Sequence, residues 1–164
     1  MAELRDVMRS FPQGVVVVTA AGEEGARGIT VSSFISVSLT PPLVLISIMK
    51  QSRAHEAIDR GPFLVNVLAE DQGPVSDHFA SPNKSSDEQF QPGTPGGDVD
   101  RSGPIVTIPG CLGYLSCRVV DRHEAADHTL FIGQVTDAQA GREAKPLVFY
   151  SRGYWGLSAI VHER

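Results

Sequence analysis

The sequence lacks the features that define several common protein classes. Its only two cysteines, Cys111 and Cys117, form no metal-ligand pattern and need not be bridged. No apolar run is long enough to span a bilayer, and the opening segment has no apolar stretch behind a basic start, as a signal peptide would. We therefore expect a cytoplasmic protein with reduced thiols and no membrane partner.

Basic charge is also scarce. The chain has 14 Lys and Arg against 19 Asp and Glu, a formal net charge of −5, which argues against nucleic acid as the main partner. Gly22, Gly25 and Gly28 have the wrong spacing for a dinucleotide fingerprint, and a hairpin turn is the simpler use for them. There is no Walker sequence and no G-x-S-x-G elbow. The five histidines offer no recognisable set of metal ligands, so we expect no metal.

What is present predicts one mainly β domain over residues 1–164. The patterns indicate about seven strands, at 14–21, 28–39, 43–49, 63–69, 111–123, 128–138 and 147–158. Short helices are predicted within 1–11, 50–61 and 71–80. Strands in hairpin-like succession favour an antiparallel barrel with helices packed outside. Residues 81–104 form a long loop whose single apolar anchor is Phe90, and loops of this length are usually functional or disordered.

Short neutral polar side chains interrupt several apolar strands. In "GITVSSFISVSL", Gly28 to Leu39, one face is apolar and the other is rich in hydroxyls, with no charged residue. The full polar set is Thr30, Ser32, Ser33, Ser47 and Asn66. Pairing with nearby backbone is the simpler interpretation of any single member, because buried polar groups must be hydrogen-bonded. Five together favour a shared ligand, such as a planar heterocycle with ring acceptors.

Two further segments suggest where other parts of such a ligand would bind. In "KQSRA", Ser52 is predicted to cap a helix that begins at Arg53, with Lys50 nearby, which suits a phosphate as well as an ordinary cap. Together with the neutral wall, this describes a nucleotide-like cofactor such as a flavin. In "EAADHTLFIGQV", His128 is either an exposed residue at a strand end or a hydrogen-bonding group for a second ligand, with Asp127 fixing its tautomer.

These segments, taken together, resemble the flavin reductase-like family, whose members supply reduced flavin to two-component monooxygenases. The matching words are "FPQGVVVVTA", "GITVSSFISVSLTPPLVLISI", "FLVNVLAEDQ", "HFA", "ADHTLFIGQV" and "PLVFYSRGYWGL", from Phe11 to Leu157. The resemblance implies a split β-barrel of the FMN-binding, Greek-key type and a homodimer with flavin near the subunit interface. It also implies NAD(P)H-dependent reduction of FMN or FAD and a separate monooxygenase as partner.

The resemblance also implies roles for individual residues. Those implied at the flavin ring and ribityl chain are Thr30, Ser32, Ser33, Ser47, Ile48, Asn66, Val67, Leu68, Phe79 and Ala80. Lys50, Ser52 and Arg53 would meet the phosphate. His128 would be the catalytic residue at the nicotinamide, with Asp127 and Tyr154 in the same site. The sequence departs from the family at Ala126, where glycine is usual; if that turn needs a positive φ, alanine would resist it.

Two other functions stay open at this point. One is a pyridoxamine-phosphate oxidase-like or nitroreductase-like flavoprotein that keeps its FMN and oxidises a substrate itself. The other is a flavin-binding domain without reductase activity. The sequence does not distinguish FMN from FAD or NADH from NADPH. In the preferred interpretation, hydride passes from nicotinamide C4 to flavin N5, and the protein supplies geometry and electrostatics.

Overall fold

The computed structural model describes residues 3–81, 84–95 and 105–159. Ten strands and four short helices occur in these ranges. In chain order they are α1 (Leu4–Met8), β1 (Gln13–Gly14), β2 (Val16–Gly22), β3 (Gly25–Val31), β4 (Phe34–Leu39), β5 (Pro42–Met49), α2 (Arg53–Arg60), β6 (Phe63–Val67), α3 (Gly73–Ala80), α4 (Ser86–Gln89), β7 (Gly113–Ala125), β8 (His128–Ala140), β9 (Val148–Tyr150) and β10 (Gly153–Trp155).

Seven of the ten strands belong to one antiparallel sheet with the order β3-β2-β6-β7-β8-β5-β4. A separate small sheet has the order β1-β9-β10. The predicted mainly β architecture with short helices is therefore confirmed. The strand count differs from about seven, partly because the C-terminal segment turns back at Ser151 and Arg152, both of which have positive φ.

The segment Gly28–Leu39, predicted as one strand, is two strands on opposite edges of the large sheet. β3 ends at Val31 and pairs with β2, whereas β4 begins at Phe34 and pairs with β5. The break falls at Ser32 and Ser33, beside the position where the alternation changes phase. A two-residue link between the two edges forces the sheet to curve, but no ladder joins β3 to β4 in the described chain.

This split changes which side chains enter the core. In β4 the apolar residues Ile35, Val37 and Leu39 are 56%, 50% and 86% exposed, so the face predicted to be buried is open. Strand β2, by contrast, is buried along five successive residues, because its side chains pack into two hydrophobic clusters, one with residues of α2 and the other with Phe79 of α3. Helix α2 contributes Ala54, Ala57 and Ile58, at the spacing of one helical face.

Residues 81–104 were predicted as one long loop, but the described part contains helix α4, and residues 84–90 fold back over the edge of β3. The Gln89 side chain accepts from Gly28 N–H (3.0 Å) and donates to Gly28 C=O (2.9 Å), which reproduces the pairing that a further strand would offer. Phe90 is buried against Phe79, with ring centroids 5.4 Å apart. The predicted apolar anchor of the loop is thus confirmed. The parts of that loop at 82–83 and 96–104 lie outside the described residues.

Both cysteines are free, in agreement with the expected reduced thiols, and the structure shows that both are buried. Burial raises the pKa of the Cys117 thiol to about 12, so it stays protonated at neutral pH. None of the described helices has the length and apolar character needed to cross a membrane.

Candidate active site

A cavity of about 450 Å³, here called the β3–α2 groove, lies between β3, the start of α2 and the end of α3. Its volume is in the range typical of small-molecule sites, about 300–1,000 Å³. The lining residues are Arg27, Gly28, Ile29, Thr30, Met49, Gln51, Ser52, Arg53, Ala54, Phe79, Ala80, Ser81, Lys84 and Gln89. The groove therefore contains five of the residues predicted for the flavin and its phosphate: Thr30, Ser52, Arg53, Phe79 and Ala80.

One end of the groove combines a helix N-terminus with several cations. Ser52 caps α2, and its hydroxyl accepts a hydrogen bond from the backbone N–H of Ala54 (3.2 Å), which confirms the predicted cap. The cations Arg27, Arg53 and Lys84 line the same groove. A helix N-terminus together with several cations favours a phosphate group, because both supply donors and positive potential.

The groove also has apolar lining that suits a flat ring. Ile29, Met49 and Phe79 contribute to it, and Phe79 lies directly against the β3 backbone. This close approach requires glycine at position 28, since a Cβ there would lie 2.5 Å from Phe79 Cδ1. The Phe79 ring is itself 1% exposed, which fixes its position. A planar heterocycle fits this chemistry better than a sugar would.

The predicted polar wall is only partly open to a ligand. The Thr30 hydroxyl donates to Ser76 C=O (2.7 Å), and Ser33 Oγ donates to Ser47 C=O (2.9 Å). Ser47 N–H in turn donates to Ser33 C=O (3.3 Å), so these two residues fasten β5 to the link between β3 and β4. The Ser32 and Ser47 hydroxyls are half-buried and make no hydrogen bond within the described ranges. Those two hydroxyls are available as donors, but Ser32, Ser33 and Ser47, all predicted at the flavin, do not line the β3–α2 groove.

Asn66 departs from the predicted wall. Its side chain is fully buried, donating through Nδ2 to Val17 C=O (3.0 Å) and accepting through Oδ1 from Ile108 N–H (3.0 Å). The carboxamide therefore braces the core instead of facing a cavity. Ile48 and Leu68 side chains are also buried, at 1% and 0% exposure. Ile48 belongs to one hydrophobic cluster of the core, and Leu68, which follows the end of β6, belongs to a second one.

His128 and Asp127 lie at the β7–β8 turn, next to one wall of the groove. His128 is opposite Met49 in the β5–β8 ladder, and the Lys50 N–H donates to Asp127 C=O (2.9 Å). The His128 Nδ1–H donates to the Asp127 carboxylate (2.8 Å), which orients the ring and leaves Nε2 for a ligand. This hydrogen bond from His128 lowers the pKa of Asp127.

Lys50 and Tyr154 make other contacts within the chain. The Lys50 ammonium pairs with Glu124, and its hydrogen bond lowers the pKa of that carboxyl. The Tyr154 hydroxyl bonds Ser76 Oγ (2.8 Å) and Asp77 Oδ1 (2.9 Å), and burial raises its pKa. Neither side chain lines the β3–α2 groove. Val67 is half-buried against the core.

Five polar groove residues were not predicted from the sequence: Arg27, Gln51, Ser81, Lys84 and Gln89. Lys84 and Gln89 belong to the Pro- and Ser-rich loop, where no periodic pattern indicates which residues pack. Arg27 did carry a signal. It shares a face with Ile29 and Val31, and a charged residue in that inward register is unusual unless it has a partner.

Ala126 → Gly is expected to stabilise the protein by about 0.5–1 kcal/mol. The reason is that Ala126 adopts φ +53°, so the turn does require a positive φ and alanine tolerates it poorly. Urea denaturation measures the change. Ala125 → Gly, at the neighbouring strand end, is the matched control and should lower stability. A lower midpoint for the Ala126 variant would contradict the expectation.

Comparison with known proteins identifies the family. Residues 8–158 match the family described as "Flavin reductase like domain", and the chain belongs to it. This confirms the family that the sequence indicated. An FMN reductase (NADH), SmoA, from Agrobacterium fabrum is 39% identical over 153 residues, covering 93% of this chain and 83% of that protein.

Two further proteins extend the comparison. The reductase component of 4-hydroxyphenylacetate 3-monooxygenase from Thermus thermophilus is 32% identical, over 92% of this chain and 92% of its own length. Among solved structures, the NADH:FAD oxidoreductase SgcE6 of Streptomyces globisporus, in complex with NAD and FAD fragments, superposes with a TM-score of 0.84. It is 32% identical and covers 97% of this chain and 93% of the other.

Proposed function

We propose that this protein is an NADH-dependent flavin reductase that supplies reduced FMN or FAD to a separate flavin-dependent monooxygenase. The observation that carries the proposal is the β3–α2 groove, with cations at a helix N-terminus and an apolar lining, in a chain of this family. The activity class predicted from the sequence is confirmed by relatives named as NADH-dependent flavin reductases. The monooxygenase partner is supported by relatives named as reductase components.

The residues of the groove fit a flavin. Ser52 and Arg53 would hold the phosphate at the start of α2, with Lys50 close by if it releases Glu124. Ile29, Met49 and Phe79 would contact the ring. The Ser32 and Ser47 hydroxyls lie outside the groove lining, and they would supply neutral donors to a part of the flavin that extends beyond it. A bound flavin supplies the redox chemistry, accepting a hydride from the nicotinamide. The chain's contribution is to position both nucleotides and to shield them from water.

His128 is proposed to bind the nicotinamide through Nε2, with Asp127 holding its tautomer. His128 → Ala should raise the KM for NADH about tenfold, the loss of one good hydrogen bond, and change the KM for flavin less than twofold. Steady-state kinetics with each substrate varied in turn measure this split. His123 → Ala, an exposed histidine on the same hairpin, is the control. Equal changes in both KM values, or none, would count against the role.

The finer architecture is also a proposal: a split barrel with Greek-key order that forms a homodimer. The split barrel is supported by the edges β3 and β4, which are joined by only two residues. The dimer is supported by the exposed apolar row Ile35, Val37 and Leu39 on β4, since such a row on a sheet edge favours association. Free, buried cysteines support a cytoplasmic location.

An anaerobic assay tests the function by crossing FMN and FAD with NADH and NADPH and following flavin bleaching. We expect rapid bleaching of added free flavin with NADH. Flavin that stays bound through gel filtration, with turnover of an organic substrate, would instead favour the pyridoxamine-phosphate oxidase-like alternative. Absence of NADH consumption with any added flavin would leave only a binding domain and would overturn the proposal.

A further inference from the structure

Arg27 is a buried cation with an incomplete set of partners. Its side chain is 10% exposed, and within the described residues its hydrogen bond is made by Nη2, to Glu24 Oε2 at 3.0 Å. Nη1 is buried and has no hydrogen-bond partner in the described chain. A buried guanidinium is normally bonded through most of its donors, because an unmet donor carries its full desolvation cost. The orphaned Nη1 therefore indicates that another acceptor completes the site.

The position of Arg27 indicates what that acceptor is. Arg27 and Arg53 line the β3–α2 groove and also a neighbouring cavity of about 590 Å³ between the β2–β3 turn and α2. They thus stand beside the cap of α2, where a phosphate is favoured. Guanidinium groups bind phosphate through two parallel hydrogen bonds, which would satisfy more donors than Glu24 does.

The present partner of Arg27 is easily replaced. Glu24 lies in the two-residue turn between Gly22 and Gly25, and its side chain is 86% exposed. An ion pair with so exposed a carboxylate is weak, since water and salt screen it. The neighbouring Glu23 pairs with Arg60 instead. Only one of the two turn glutamates therefore competes for the buried guanidinium.

We propose that Arg27 exchanges Glu24 for the phosphate of the flavin, so that Glu24 is a built-in competitor of the ligand. The inference rests on the proposed function, because it assumes that the groove takes a flavin nucleotide. It makes Arg27 a determinant of selectivity for FMN and FAD over riboflavin, which lacks the phosphate. It also gives Glu24 a role in release, because the carboxylate takes back the guanidinium as the flavin leaves.

Dissociation constants for FMN, FAD and riboflavin, measured by flavin fluorescence titration, test the exchange. Glu24 → Gln should tighten FMN and FAD about two- to fivefold and leave riboflavin unchanged. Arg27 → Met, which keeps the apolar stem, should weaken FMN about tenfold and riboflavin less than twofold. Glu23 → Gln is the matched control and should change none of the three.

A double-mutant cycle separates exchange from a general charge effect. In the Arg27 → Met background, Glu24 → Gln should have no further effect on FMN, because the competition no longer exists. A tightening that persists there, or one shared equally by riboflavin, would overturn the proposal. If Arg27 → Met does not fold, Arg27 → Lys replaces it, and Glu24 → Gln should still tighten FMN in that background.

Riboflavin reduction separates a failure of the Arg27–Glu24 exchange from a failure of the reductase function. NADH oxidation with riboflavin as acceptor does not depend on the phosphate site. If wild type reduces riboflavin and FMN but the variants show no selective change in FMN affinity, the proposed exchange is wrong and the reductase function is still supported. If no flavin is reduced but the dissociation constants for FMN shift as expected in the variants, the exchange at the phosphate site is supported and the reductase function is wrong.

Discussion

Asn66 → Leu is expected to destabilise the protein by about 3 kcal/mol, although leucine has nearly the same size as asparagine. The substitution leaves Val17 C=O and Ile108 N–H buried without their side-chain partner. Each unsatisfied buried group costs about 1–3 kcal/mol. Urea denaturation at neutral pH gives the free energy of unfolding directly. Gln139 → Leu, an exposed amide on β8, is the control and should fall within about 0.5 kcal/mol of wild type.

The same variant tests the role that the sequence suggested for Asn66. At a temperature where it remains folded, we expect its affinity for FMN to be unchanged, because the carboxamide faces the core. A loss of less than about 1 kcal/mol in stability, combined with a tenfold loss of FMN affinity, would contradict the structural role. That result would indicate that the Asn66 carboxamide contacts the flavin.

Gly28 → Val should be similarly damaging, by about 3 kcal/mol, and should also weaken flavin binding. A Cβ at position 28 would lie 2.5 Å from Phe79 Cδ1, and the ring cannot retreat because it packs against Phe90 and His78. Helix α3 would have to move, and the β3–α2 groove would change shape with it. Thermal unfolding and FMN titration measure the two effects.

Gly14 → Val is the matched control for this second prediction. Gly14 is also a strand glycine, but a Cβ there would meet no atom within 4 Å. The control should therefore unfold close to the wild-type temperature and bind FMN normally. Equal behaviour of the two valine variants would show that the contact between Gly28 and Phe79 does not fix α3.

The local features of the fold were predictable because short-range chemistry determines them. The Ser52 cap, the turn at Ala126 and the anchor Phe90 each follow from the residues beside them. The family could be recognised for a related reason, since its motifs are contiguous words. A strand pattern likewise identifies β2 and β6 without knowledge of their partners.

Pairing partners were not predictable in the same way. Alternation says that Gly28–Leu39 is extended, but not that its halves pair with strands at opposite edges of a sheet. Asn66 was recognised as a polar residue in an apolar strand, yet its partners Val17 and Ile108 lie 49 and 42 positions away. Lys84 and Gln89 reach the groove only because a loop without periodicity folds back onto β3.

The clamp between Gln89 and Gly28 joins two properties that are usually separate. One glutamine seals an edge strand against other chains and also forms part of the wall of the β3–α2 groove. If Gln89 moves away to open the groove, the backbone of β3 at Gly28 therefore becomes free to pair with a strand of a neighbouring molecule. A flavin-starved sample at high concentration would be the one most prone to self-association, and exchange of the Gly28 amide proton would report the opening before aggregates form.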